Sequence, residues 1–406
     1  MPTRPSPLRG ALLATLVAAC AVSLLSFGVR AAFGLFTDPL TREFGVSREV
    51  YSTAIALQNL AWGVTQPFAG FLCDRFGARR IMFAGALLYA AGIVGLVFAS
   101  TPLQICLTAG VLAGVGMGGA SFSTALAALG RVMPDTHRSW ALGVGTAAGS
   151  LGQFLVVPVT QAVIDTSGWR GGAWWMAGAI AMAMVAALFV KEGPAPRGGT
   201  ASIPALRVLR SAFAERSYVL LVLGFFVCGF QLAFITTHFP AYLSDRGMSP
   251  SIAAWAVALV GLFNVVGAYL AGTWGGVHSK KRLLAAIYVA RGLVTLLFVL
   301  APISPATVLA FGAAMGLLWL STVPLTSGLV ATFFGTQFMA MLFGFVFLSH
   351  QLGSFLGVYL GGVLFARTGS YDIVWWLCIA LSVFAATINL PIRERASLPF
   401  RALSAA

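Results

Sequence analysis

Apolar residues dominate long stretches of this chain, and polar ones gather in the gaps between them. A helix that crosses a bilayer needs roughly 20 mostly apolar residues. Twelve stretches qualify: 12–36, 50–72, 81–100, 103–130, 140–164, 171–190, 217–243, 251–276, 283–301, 306–333, 338–366 and 373–392. The gaps are short except for Lys191 to Arg216, which holds Pro194, Pro196, the pair Gly198–Gly199 and five basic residues. The pattern predicts an all-α membrane protein: a six-helix bundle over 1–190, a linker over 191–216 and a second bundle over 217–406. Arg4 and Arg9 ahead of an apolar run that reaches Cys20 imitate a lipoprotein leader. The run continues to Phe36, too long for a leader, so it reads as the first membrane helix, uncleaved.

The two predicted halves resemble each other. Leu151-Gly152-Gln153-Phe154-Leu155 matches Leu352-Gly353-Ser354-Phe355-Leu356, and Gly70 with Arg79-Arg80 matches Gly272 with Lys281-Arg282. Both offsets are about half the chain. Such duplication suits a carrier whose site lies between two rocking halves.

Composition supports the membrane assignment. Of 406 residues 59% are hydrophobic and only 9% charged, against about a quarter charged in soluble proteins. The net charge of +14 suggests nucleic acid only if it is clustered on a soluble domain. It is instead sorted by side: of 25 Lys and Arg, 18 fall on the side of the termini and linker, five on the other, and Arg30 and Arg291 within helices. Basic loops stay inside, so both termini are expected in the cytoplasm of a bacterial inner membrane, and a nucleic-acid partner is excluded. Cys20, Cys73, Cys106, Cys228 and Cys378 lack CxxC spacing. They read as isolated buried thiols, with no metal site and no cofactor expected.

Between the second and third stretches the chain reads Gly70-Phe71-Leu72-Cys73-Asp74-Arg75-Phe76-Gly77-Ala78-Arg79-Arg80. Gly70 permits close helix packing and Gly77 a turn at positive φ, while Arg79 and Arg80 hold the loop at a polar face. The segment resembles the G-x3-D-R-x-G-x-R-R loop of the major facilitator superfamily. That resemblance implies a gating loop formed by Gly70, Asp74, Arg75, Gly77, Arg79 and Arg80, with Asp74 bridging the halves when the cytoplasmic side closes. A plain topology anchor is the alternative. Gly276 stands at the position of Asp74 in the second half, so such a gate is asymmetric.

Further blocks resemble the monocarboxylate-transporter branch and its bacterial relatives, the oxalate–formate exchangers. They are Gly28-Val29-Arg30-Ala31-Ala32-Phe33-Gly34, Arg138-Ser139-Trp140-Ala141-Leu142-Gly143 and His350-Gln351-Leu352-Gly353. Members of that branch carry a substrate arginine in helix 8; here helix 8 offers only Asn264.

Charges at membrane depth cost free energy and mark function by default. All eleven acids (Asp38, Glu43, Glu49, Asp74, Asp135, Asp165, Glu192, Glu215, Asp245, Asp372, Glu394) fall in loops or at helix ends. This argues against a cationic substrate and a buried carboxylate relay. Arg30 suits a two-pronged grip on a carboxylate, or it snorkels to the interface. Arg291 bonds neighbouring carbonyls or hydroxyls, or touches substrate. His350 and His238 are the intramembrane groups that titrate near neutrality, and either is a proton-coupling candidate. A neutral, carbonyl-bonded ring is the plainer reading, favoured for His238. Gln351, Asn264, Gln153, Asn59 and Gln231 complete the candidate substrate contacts, with interhelical hydrogen bonding as the default for each amide. Trp62, Phe230 and Trp319 read as packing.

The leading expectation is a transporter of a small organic anion, a monocarboxylate, acting as a monomer, with a co-transported proton as a possible partner. The alternative is an efflux carrier for neutral or lipophilic compounds. No P-loop, HExxH or GxSxG constellation appears, so an enzyme is not expected.

Overall fold

The computed structural model describes residues 7–133, 135–191, 205–335 and 339–396; the side chains of some of these, Asp74 among them, lie outside the description. Among the described residues the regular structure is helical throughout. The first half holds α1 (Pro7–Ala32), α2 (Arg48–Phe76), α3 (Ala78–Val97) and α4 (102–132, with a π-helical stretch at Cys106–Leu112). Two helices within Asp135–Ala187, meeting at a kink at Gly168, supply α5 and α6. The second half holds α7 (Arg216–Asp245), α8 (Pro250–Val277), α9 (Lys280–Leu300), α10 (Pro305–Leu318 and Thr322–Phe334), α11 (Met339–Thr368) and α12 (Asp372–Asn389). Of the linker expected over 191–216, residues 192–204 lie outside the described residues, and a short helix occupies Ala205–Ala214.

Among the described residues a strict hydropathy window marks ten helices as membrane-crossing, with the stretch through Gly168 counted as one. The other two crossings are recovered from two features. Gly168 has φ +70 and ψ 175, a left-handed turn inside one apolar segment that a glycine makes at little cost, so that segment contributes two passes. α2 falls short of apolar because it carries Gln58, Asn59, Thr65 and Gln66 in its middle. The result is twelve passes in two six-helix bundles.

Helix starts follow local chemistry. Thr101 and Ser304 each form a capping box with the residue three positions on, and Pro102 and Pro305 follow as the first helical residues, where a missing N–H costs nothing. Within each half the repeated glycine decides how closely two helices cross. A Cβ added to Gly152 of α5 would lie 1.9 Å from the Leu24 carbonyl oxygen of α1; one added to Gly353 of α11 would lie 2.0 Å from the Phe226 carbonyl oxygen of α7. The sequence repeat thus becomes the same backbone contact in both halves, made possible by a missing side chain.

The halves meet along two helix pairs, α2 with α11 and α5 with α8. Among the described residues, the hydrogen bonds between halves all lie at mid-depth or at the end remote from the chain termini. At that remote end Gly34 packs so closely on the second half that a Cβ would lie 2.1 Å from the Thr236 carbonyl oxygen. Toward the termini, an added Cβ at Gly70, Gly143, Gly276 or Gly344 would meet open space. The remote end is closed.

Candidate functional site

Arg30 lies near the C-terminal end of α1, one helical turn after Ser26, so both side chains share a face. Together with Phe27, Trp62, Met117, Ala120 and Ser121 they line a small pocket among α1, α2 and α4. The guanidinium sits over the Trp62 indole at 4.9 Å and near Phe27 at 5.8 Å. Its Nη2 donates to Asn59 Oδ1 at 3.1 Å. Among the described residues no carboxylate forms an ion pair with it. Ser26 Oγ is buried and has no hydrogen-bond partner among the described residues. The pocket therefore offers spare donors on a fixed cation beside an uncommitted hydroxyl, walled by aromatic rings.

Gln351 joins this pocket to the other half: its Nε2 donates 3.1 Å to the Asn59 carbonyl oxygen. Its Oε1 lies 2.9 Å from His350 Nδ1. The His350 ring stacks on Phe347 (centroids 5.8 Å apart) and meets Phe225 (5.0 Å). Phe347 in turn packs edge-on against Trp62 at 5.3 Å. Arg30, Asn59, Gln351 and His350 thus form one connected group spanning the interface. Trp62, assigned to packing from sequence, is its central wall.

Arg291 and Asn264 converge elsewhere, on the interruption of α10 between Leu318 and Thr322. Peptide groups at a helix break need outside partners. Arg291, fully buried, donates from Nε (3.1 Å) and Nη2 (2.7 Å) to the Leu318 carbonyl oxygen and from Nη2 to the Trp319 carbonyl oxygen. Its Nη1 has no partner among the described residues. Asn264 Oδ1 accepts from the Leu320 backbone N–H at 2.8 Å, while its Nδ2 donates to Ser150 Oγ of α5, also at 2.8 Å. Gln153 makes a second link between the same helices, donating to the Val257 carbonyl oxygen at 2.8 Å.

The remaining candidates turn away from the Arg30 pocket. Gln231 donates to the Cys378 carbonyl oxygen and to Ser382 Oγ of α12. The His238 ring is held at both nitrogens, Nε2 at 2.8 Å from the Val358 carbonyl oxygen and Nδ1 at 3.2 Å from Tyr371 Oη. In the loop after α2, Gly77 adopts φ +89 and its N–H closes the helix on the Cys73 carbonyl oxygen at 3.0 Å. Arg75, Arg79 and Arg80 are exposed, and the bridging side chain expected of Asp74 lies outside the described residues.

Sequence reasoning missed the remote-end closure. Arg48, the first residue of α2, donates to both carboxylate oxygens of Asp245 (2.5 and 2.7 Å) and to Asp38 Oδ1 (2.8 Å). It also lies over the Phe365 ring at 4.3 Å. Thr37 Oγ1 reaches the Thr237 carbonyl oxygen close by, at 3.4 Å. The signal in the sequence was slight: Asp38 and Asp245 lie beside Arg48 on the side with few basic residues, but loops far apart in the chain do not announce their pairing. Outside this closure is a cavity of about 350 Å³, lined by Asp38, Arg42, Gln161, Asp165, Trp169 and Ser244 among others.

The chain matches the Major Facilitator Superfamily family model over residues 18–274 and 221–405. It is 28% identical over 384 residues to the MFS-type transporter YcxA of Bacillus subtilis (strain 168), covering 91% of this chain and 92% of that one. It is 30% identical over 372 residues to monocarboxylate transporter 11 of Homo sapiens, covering 87% of this chain and 77% of that one. Among solved structures, a D-xylose–proton symporter superposes with a TM-score of 0.76 at 16% identity, covering 94% and 98% of the two chains. The xylose transporter XylE from E. coli, in an inward open conformation, does so with 0.75 at 15% identity, covering 97% and 99%. Twelve passes in two bundles, the loop at Gly70–Arg80 and a family match running almost end to end agree: this chain belongs to the major facilitator superfamily and is a multi-pass membrane transporter, not an enzyme.

Proposed function

We propose that this transporter carries a small organic anion, a monocarboxylate, by alternating access between a body formed by residues 1–190 and one formed by 217–406, joined through 191–216. The observation that carries the reading is Arg30: a guanidinium in an interhelical pocket, bonded to one neutral amide, with no carboxylate to neutralise it among the described residues. A carboxylate there accepts two parallel charge-assisted bonds. Ser26 Oγ is placed to supply a further hydrogen bond, and Trp62 and Phe27 to cover the organic part, once the pocket, about 10 Å³ here, widens. The named monocarboxylate transporter at 30% identity supports the same substrate class.

The excess of basic residues on the side of the termini supports their location in the cytoplasm of a bacterial inner membrane, so on this reading the closed end faces outward. On this reading the carrier acts as a monomer. Of the two histidines, His350 is the better proton carrier, because it belongs to the Arg30 group, whereas His238 lies apart from it, held between Val358 and Tyr371.

Uptake of short radiolabelled monocarboxylates into proteoliposomes tests the proposal, with wild type, Arg30→Lys and Arg30→Ala. A charge-assisted bond contributes about 1.5–3 kcal/mol, so Arg30→Ala, which removes two, is expected to lose at least roughly 100-fold in transport efficiency, with Arg30→Lys in between. Undiminished uptake by Arg30→Ala refutes the proposal. Raised drug tolerance in cells together with indifference to organic acids favours instead the efflux reading.

A further inference from the structure

The short helix Ala205–Ala214, ahead of α7, belongs to neither bundle's passes, and its three faces differ in kind. Val208 and Ala212 are fully buried, one turn apart on the face toward the protein. The same end is fastened by Phe213, whose ring meets Tyr218 of α7 at 5.4 Å and Phe345 of α11 at 6.2 Å. Leu206, 77% exposed, and the outer part of Phe213 share the next face, reached at a spacing of seven residues. Arg207 and Arg210 occupy the third face, both exposed and without an ion pair among the described residues. Glu215, the nearest acid in sequence, is occupied in capping α7 through the Ser217 N–H.

This order of faces (protein, apolar and outward, basic) is that of a helix lying in the plane of a membrane surface. Its position at the start of α7 sets it at the level where hydrocarbon gives way to headgroups. A large apolar side chain beside two unpaired guanidiniums has one complementary environment there: acyl chains beneath and phosphodiester anions alongside.

We propose that Arg207 and Arg210 form a binding surface for the headgroups of anionic phospholipids, with Leu206 and Phe213 seated among their acyl chains. The surface clasps the ends of α7 and α11. These two helices also carry the inter-half contacts at Asp245 and Gln351, so bound lipid holds this end of the second half to its leaflet.

The test uses the purified full chain in neutral detergent, titrated with phosphatidylglycerol or phosphatidylcholine, with retained lipid counted by native mass spectrometry. Each basic side chain near an anionic surface favours the anionic lipid about fivefold. Wild type is expected to retain phosphatidylglycerol preferentially, Arg207→Gln/Arg210→Gln to lose at least about fivefold of that preference, and Arg207→Lys/Arg210→Lys to keep it. A wild-type measurement guards against misfolded variants: the preference is expected to collapse near 1 M salt, where the screening length is about 3 Å. An unchanged preference in the glutamine variant, its loss in the lysine variant, or its persistence at high salt overturns the proposal. Inorganic phosphate displacing the lipid at millimolar concentration does so too, since it shows an anion site indifferent to the bilayer.

Discussion

The bond between Arg48 and Asp245 exists only while the remote end is closed, so cutting it shifts the balance between the two states of the carrier. Asp245→Asn is the cleanest cut, because it keeps side-chain shape and leaves Arg48 paired with Asp38 at 2.8 Å. The lost interaction is a two-pronged pair with bonds of 2.5 and 2.7 Å. Charge-assisted hydrogen bonds contribute about 1.5–3 kcal/mol when protected, and fully exposed pairs about 0.2–1 kcal/mol. Here the Arg48 side chain is 12% exposed and that of Asp245 37%, which places the loss near 1–2 kcal/mol. The closed population relative to the open one is then expected to fall about 5–30-fold. Ser52 reports on this, because it is fully buried at the same interface, against Gly362 of α11. A Ser52→Cys reporter, in a background free of the native cysteines, reacts with an impermeant maleimide only when the remote end opens. Its labelling rate is expected to rise by that factor in Asp245→Asn, and the gain to shrink in high salt. Equal rates with and without Asp245→Asn would show that the ion pair does not hold the closure, and the reasoning fails.

Two further outcomes follow from the packing. Asn264→Leu leaves the Leu320 N–H buried without its acceptor and removes the link to Ser150; it is expected to destabilise the protein by about 1–3 kcal/mol, seen as a lowered melting midpoint in detergent, and an unchanged midpoint contradicts the account of the α10 break. Gly353→Ala drives a methyl into the Phe226 carbonyl and is expected to cost about 1–3 kcal/mol, measured in the same way, whereas Gly344→Ala, which meets open space, is expected to be neutral.

The sequence by itself determined the number of passes, the two-fold repeat and the family, because each rests on a local property. Apolar length follows from the thickness of hydrocarbon, and a repeated Leu-Gly pattern survives as the same helix crossing in both halves. It also singled out Arg30, Arg291, His350 and Gln351, since a polar group inside an apolar run is visible without coordinates. It did not say which of these share a site. Arg30 and Gln351 are joined through Asn59, whereas Arg291 is committed to the carbonyls of a broken helix, and their identical chemistry in the sequence gives no hint of that division. Nor did it show that Arg48, Asp38 and Asp245 meet. Those three stand at helix ends where charges are ordinary, and only the approach of α7 to α2 brings them within bonding distance. Hydrophobicity is a sum over a stretch of chain and can be read along it. Hydrogen bonding between helices depends on distance and direction in space, and only the packed bundles fix those.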